Sequence, residues 1–165
     1  HIRSRRQRQM CIRDRIYPLL SRYQLKLVRI AAGNTIPYSF WGDPEAGRWH
    51  TTVYVRHDTP LHSLLHETAH FVCMSSEQRL ANSFDAKGSA LEEAACCYLQ
   101  LLWSDYVDGY SRQMHMQDMD QWGYNFRLGS SARWFNQDSE DARQWLISHE
   151  IIYANNFPTW KVRSH

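Results

Sequence analysis

The sequence lacks any run of eighteen apolar residues, so no segment has the length of a membrane-spanning helix. Cysteine is scarce, with four in 165 residues, and no Cys-x-x-Cys pair occurs. If Cys11 is set aside with the N-terminal segment, Cys73, Cys96 and Cys97 remain. An odd number with one adjacent pair suits no disulfide framework, which points to a reducing, cytoplasmic compartment. Repeats, low-complexity tracts and linkers are also missing, which leaves no signature of a solenoid or of a second domain. What is present is apolar and aromatic. Hydrophobic residues make up 43% of the chain, with seven Trp and nine Tyr, a composition that builds a packed core.

Charge needs one correction before it is interpreted. Residues 5–15 read RRQRQMCIRDR, which resembles one reading frame of a sequencing adaptor, CGT CGG CAG CGT CAG ATG TGT ATA AGA GAC AGR. Residues 1–15 are therefore expected to be a non-native scar, with 16–165 forming one domain. Without them six Arg and one Asp disappear. Lys+Arg falls from 19 to 13, Asp+Glu from 17 to 16, and net charge from +2 to −3. The basic balance then gives no reason to expect nucleic acid or a membrane surface as partner.

Local patterns predict an α+β domain. Ile16, Leu19, Leu20 and Tyr23 have helical spacing, and 24–30 (QLKLVRI) alternates like a strand. Three Gly and two Pro punctuate a loop over 33–49, and 51–56 (TTVYVR) reads as a second strand. Thr59 and Pro60 form a cap and first-turn proline for a helix running to about Met74. After an interruption at 85–90, Ser89 caps a helix from Ala90 to about Trp103, apolar nearly all round and so expected to be buried. Residues 111–122 and 139–152 read as amphipathic helices, the latter capped by Ser139 or Asp138. The expected architecture is a short sheet packed on the first long helix and the buried one after it, with a helical C-terminal half.

The chemistry concentrates in residues 62–70, HSLLHETAH. His66 and His70 stand four apart and share one helix face, where both imidazoles can bind one ion. Glu67 lies beside them. Zinc favours such nitrogen ligands and leaves a position for water when the protein supplies only three. A third ligand is available from Glu92 or Glu93, which a helix turns about 100° apart. Glu93 shares a polar stripe with Cys97, Gln100 and Ser104. Glu92 shares its face with Cys96, Leu99 and Trp103. Glu93 is the favoured ligand and Glu92 its rival.

These residues resemble the zincin metallopeptidases, specifically the group whose zinc is held by HExxH and a glutamate on a following helix. The resemblance covers roughly residues 51–104, and the EEA step at 92–94 matches. It implies a zincin-like domain with His66, His70 and Glu93 as zinc ligands and Glu67 as general base. Two departures stand out: a somewhat longer spacing to the glutamate, and Cys97 where such enzymes often place an acid that orients a ligand histidine. The segments TPLHSLLHE and CYLQ are also similar to an uncharacterised bacterial family. HFVC after the motif is weakly similar to the elongation factor P hydroxylases.

The expected function is zinc-dependent hydrolysis of a peptide, a protein terminus or a small amide. The alternatives are a non-haem iron (Fe2+) hydroxylase or oxygenase on the same two-His-one-carboxylate set, and a catalytically inert metal-binding protein. Tyr124 and Arg127, polar groups among aromatics, are candidates for holding substrate or an oxyanion, against a packed tyrosine and an acid-paired arginine. His62, one turn before His66, is expected to cap or to support rather than to ligate. Cys73, Cys96 and Cys97 read as small buried hydrophobes.

Overall fold

In the computed structural model, residues 14–81 and 88–165 are described. Residues 1–13 of the expected 1–15 scar, and residues 85–87 of the interruption before Ser89, lie outside them. The first helix, α1, occupies 14–22 and buries Ile16, Leu19 and Leu20. Asp14 and Arg15 belong to it, and the Arg15 guanidinium lies over the backbone of Gly109.

Three strands follow: β1 (Lys26–Ile30), β2 (Gly47–Trp49) and β3 (Thr52–Arg56). The sheet order is β1-β3-β2, with β1 parallel to β3 and β2 antiparallel to it. β3 alternates as its sequence does, burying Val53 and Val55. β2 lies inside the stretch expected to be loop. It forms by pairing with β3, for which a Gly- and Pro-rich sequence gives no local sign. Gly47 is required there because a Cβ would strike the Pro37 carbonyl.

The metal-motif helix α2 spans Leu61–Cys73. Its cap differs from expectation. Pro60 takes the N-cap position without a side-chain cap, and the Thr59 hydroxyl instead accepts from the Arg56 N–H at 2.8 Å, closing the strand-to-helix turn. A short α3 (Ser76–Ala81) comes next. Helix α4 spans Ala90–Trp103 as expected, with the Ser89 hydroxyl accepting from Glu92 N–H at 3.2 Å. From Ala95 to Trp103 every residue of α4 is buried, so this helix is the axis of the core. It packs against α2 and, on its far side, α7 (Glu140–Ser148). Trp103 is fully buried, and its indole N–H donates to the Tyr23 hydroxyl at 3.1 Å.

Helices α5 (Arg112–Gln121) and α6 (Ser131–Gln137) complete the C-terminal half. Two further expectations need correction. Ser139 precedes α7 but makes no side-chain cap, because its hydroxyl donates to the Phe135 carbonyl. The helix also stops at Ser148 rather than 152. Glu150 turns left-handed at φ 58°, and Ile151 N–H returns to the Leu146 carbonyl at 2.9 Å. Ile151 and Ile152 are thereby folded into the core at a Schellman-like helix end. Among the described residues, no helix is long and apolar enough to cross a membrane.

Candidate metal centre

Helices α2 and α4 pack side by side, and the site lies where the polar stripe of α4 meets the His66–His70 face. His66 Nε2 and His70 Nε2 are 2.9 Å apart. The Glu93 carboxylate spans them, with Oε1 3.0 Å from His66 Nε2 and Oε2 3.2 Å from His70 Nε2. A ligand atom from each of the three residues lies within 4.8 Å of the others. Metal–ligand bonds of about 2.0–2.1 Å in tetrahedral geometry place neighbouring ligand atoms about 3.3 Å apart, so the three atoms stand close to where one ion would require them. Two imidazoles and a carboxylate are also the right donor set for zinc or iron. The residues fit a divalent metal.

Glu92 is turned away from this cluster. Its carboxylate meets the Arg163 guanidinium at 3.4 Å, and the C-terminal segment carrying Arg163 is pinned to α2 by Arg163 N–H donating to the Val72 carbonyl at 2.9 Å. The 100° step per residue separates the two adjacent glutamates as the sequence stripe implied.

The outer nitrogen of each histidine meets one α4 side chain. His66 Nδ1 faces the Gln100 amide at 3.2 Å, and His70 Nδ1 faces Cys96 Sγ at 3.7 Å. Cys97, where an acid was sought, lines the cavity instead. Cys73, Cys96 and Cys97 are free and buried. Hydrogen bonding with Cys73 and burial hold the Cys96 thiol well above its usual range, and burial does the same for Cys97. Both therefore stay neutral.

The electrostatics follow from the packing. Burial alone would raise the Glu93 pKa, but hydrogen bonds from His66 and His70 outweigh it and hold the carboxyl far below its ordinary range. Burial opposes the charged form of His70, yet Cys96 and Glu93 together lift its pKa above the usual value. The triad thus keeps its carboxylate ionised and ready to ligate.

A cavity of about 500 Å3 opens beside the triad. Glu67 reaches it from α2, and Tyr124, Trp122, Phe126 and Trp41 form much of its wall. The loop carrying Trp41 and Glu45 is tied to α2 where Ala46 N–H donates to the Ser63 hydroxyl at 2.9 Å. On the other side, Gly123 takes φ 80°, a conformation glycine adopts freely at a helix end. That turn swings Tyr124 back over α2, where its hydroxyl lies 3.2 Å from His62 Nδ1. Burial first, with the nearby carboxylates of Glu45, Glu93 and Glu67 adding to it, raises the Tyr124 pKa, so the phenol stays protonated.

Of the sequence candidates, His66, Glu67, His70, Glu93 and Tyr124 come together. Arg127 is not among the residues lining the cavity. It pairs with Asp138 at 2.9 Å and Asp141 at 3.3 Å, with its side chain 62% exposed. His62 neither caps α2 nor joins the ligand atoms. It is buried against Trp122 and Tyr124. Cys96, read from sequence only as a small buried hydrophobe, lies at His70, and residues not singled out from sequence are Tyr110, His115 and Asp118, joined through the Tyr110 hydroxyl around the buried His115. Gln100 was visible only as a member of the stripe.

Comparison of the chain with protein-family models, curated proteins and solved structures finds no match. The likeness to zincins accordingly rests on the motif residues themselves.

Proposed function

We propose that the chain is a metal-dependent hydrolase, a peptidase of the zincin kind. The observation that carries this reading is that Glu67 lines the same cavity as His66 and Glu93, two of the three residues whose ligand atoms converge with that of His70. Those three residues would hold the ion, and their donor chemistry suits zinc. A bound metal of this kind supplies Lewis-acid chemistry, activating water and polarising a carbonyl. Glu67 accepts the proton of the attacking water and returns it to the leaving amine. Tyr124, kept protonated, offers its hydroxyl to the carbonyl oxygen as negative charge develops there. Trp41, Trp122 and Phe126 give the substrate an apolar wall. A volume of about 500 Å3 is that of a small-molecule site and admits a few residues of a peptide, a protein terminus or a small amide.

The test joins metal analysis to cleavage of a peptide library. The purified protein should carry near one equivalent of zinc and cleave part of the library. Glu67→Gln should keep the metal and lose about 10²- to 10⁴-fold in rate, the usual contribution of general acid–base groups. Full activity in Glu67→Gln would remove Glu67 as the base. Iron in the site, with oxygen consumption and no cleavage, would favour the oxygenase reading of the same donor set. No turnover with either metal would leave a binding role.

A further inference from the structure

We propose that Gln100 aims His66 at the metal, accepting a hydrogen bond from His66 Nδ1–H through its amide oxygen. This rests on the metal-site reading above. Gln100 stands two helical turns beyond Glu93 on α4 and is fully buried. Its Nε2 lies 3.2 Å from His66 Nδ1, while its Oε1 is buried without a hydrogen-bond partner. The two ends of an amide have nearly the same shape, so the network decides which end is oxygen.

With NH2 toward His66, Nδ1 must accept. The imidazole proton then sits on Nε2, the atom 2.9 Å from His70 Nε2 and 3.0 Å from Glu93. That is the nitrogen whose lone pair a metal requires.

Inverting the amide removes the conflict at Nε2. Oε1 gains a donor in Nδ1–H, the proton leaves Nε2, and the lone pair faces the ligand cluster. Metal-bound histidines almost always donate their outer N–H to an acceptor, which fixes tautomer and ring orientation. His70 has the poorer counterpart, a sulfur at 3.7 Å, because thiol sulfur is a weak acceptor. Gln100 thus supplies the support that the zincin resemblance seeks in an acid at position 97, from one turn further along the same stripe.

Two measurements test this. In the zinc-loaded protein, long-range ¹⁵N–¹H spectra of the imidazoles should find His66 protonated at Nδ1; without metal, the Glu93 carboxylate 3.0 Å from Nε2 holds a proton there instead. Zinc affinity, read by competition with a chromophoric chelator, should fall about 10- to 100-fold in Gln100→Leu. It should stay within a few-fold in Gln100→Glu, whose carboxylate can only accept. Melting curves of each metal-free variant separate a folding defect from a lost hydrogen bond. A zinc-loaded parent whose His66 Nδ1 carries no proton overturns the proposal, as does a folded Gln100→Leu protein binding zinc as tightly as the parent. A parent protein that binds no zinc would defeat the metal-site reading and the proposal with it, whereas the two preceding results defeat the proposal alone.

Discussion

His62 and His66 stand one turn apart on α2, yet their surroundings give them different chemistry. His66 turns one nitrogen to His70 and Glu93 and the other to the Gln100 amide. His62 is packed between the Trp122 and Tyr124 rings. Burial, helped by the neighbouring His66, pushes its pKa down to about 4. His115 on α5 is a second case. It is fully buried, its Nδ1 lies 3.1 Å from the Tyr110 hydroxyl, and burial lowers its pKa to about 3. Spacing of i, i+4 creates two histidine pairs on α2, 62/66 and 66/70. Which pair can hold an ion is decided by the facing helix, since among the described residues the second pair is the one that meets a carboxylate.

The sharpest way to break this comparison is to delete histidines one at a time. Removing His66 or His70 takes away a ligand and should lower zinc affinity by well over ~100-fold, more than the loss of a supporting hydrogen bond. His62→Ala should keep near one equivalent of metal in a less stable protein. Metal analysis beside thermal melts reads both. Equal metal loss in all three variants would erase the distinction.

The buried pair should also show itself in acid. A histidine held neutral has a folded pKa below its unfolded value of 6.5. Its contribution is therefore complete above pH 6.5 and is lost as pH falls toward 4, because the unfolded chain takes up protons that the native chain refuses. Between pH 7 and 5 each such group should remove about 2 kcal/mol. His70 is shifted the other way, so its contribution is present below 6.5 and fades as pH rises. Urea melts of the metal-free parent and of His115→Phe isolate the effect, since only the difference in pH slope belongs to His115. Identical slopes would mean that His115 is not held neutral.

How far the sequence could foresee this contrast depends on whether the signal was local. The bounds of α4 could be read because Ser89 caps it from one residue away and the helix is apolar nearly all round up to Trp103. The alternation of β3 and the common face of His66 and His70 are likewise short-range. The pairing of β2 and the burial of Ile151 and Ile152 in the core depend on contacts formed elsewhere in the fold, whereas the shift of the α2 cap to Pro60 turns on a short-range choice, the Thr59 hydroxyl meeting the Arg56 N–H. Glu93 could be separated from Glu92 by helical phase alone, but Arg163, the partner that draws Glu92 aside, lies 71 residues away. The role of Gln100 was the least legible, because an amide on a stripe acquires meaning only from the nitrogen it faces.

The contrast between the two glutamates gives a smaller effect. Glu92→Gln should leave zinc stoichiometry unchanged and weaken only the pair with Arg163. That pair is partly buried, with side-chain exposures of 24% and 16%, and loses about 1 kcal/mol, the upper end for pairs that water still reaches. Loss of the ion in Glu92→Gln, with retention in Glu93→Gln, would reverse the ligand assignment.

The smallest effect belongs to Arg127, which tests whether the cavity wall ends where the structure puts it. Trp122, Gly123, Tyr124, Asn125 and Phe126 line the cavity in succession, and the next residue turns away. Leu128 follows at φ 70°, in the left-handed region that an L side chain rarely adopts, so the chain bends sharply just after Arg127. The guanidinium then reaches the start of α7, pairing with Asp138 and Asp141 while remaining mostly in solvent. Exposed pairs of this kind contribute about 0.2–1 kcal/mol, so Arg127→Ala should shift the melting temperature by no more than a few degrees. Because Tyr124 and not Arg127 faces the cavity, kcat/KM for any substrate the parent cleaves should change less than about twofold. A rise in KM confined to substrates bearing a free carboxylate would show that Arg127 swings inward to meet them, extending the binding surface past Phe126.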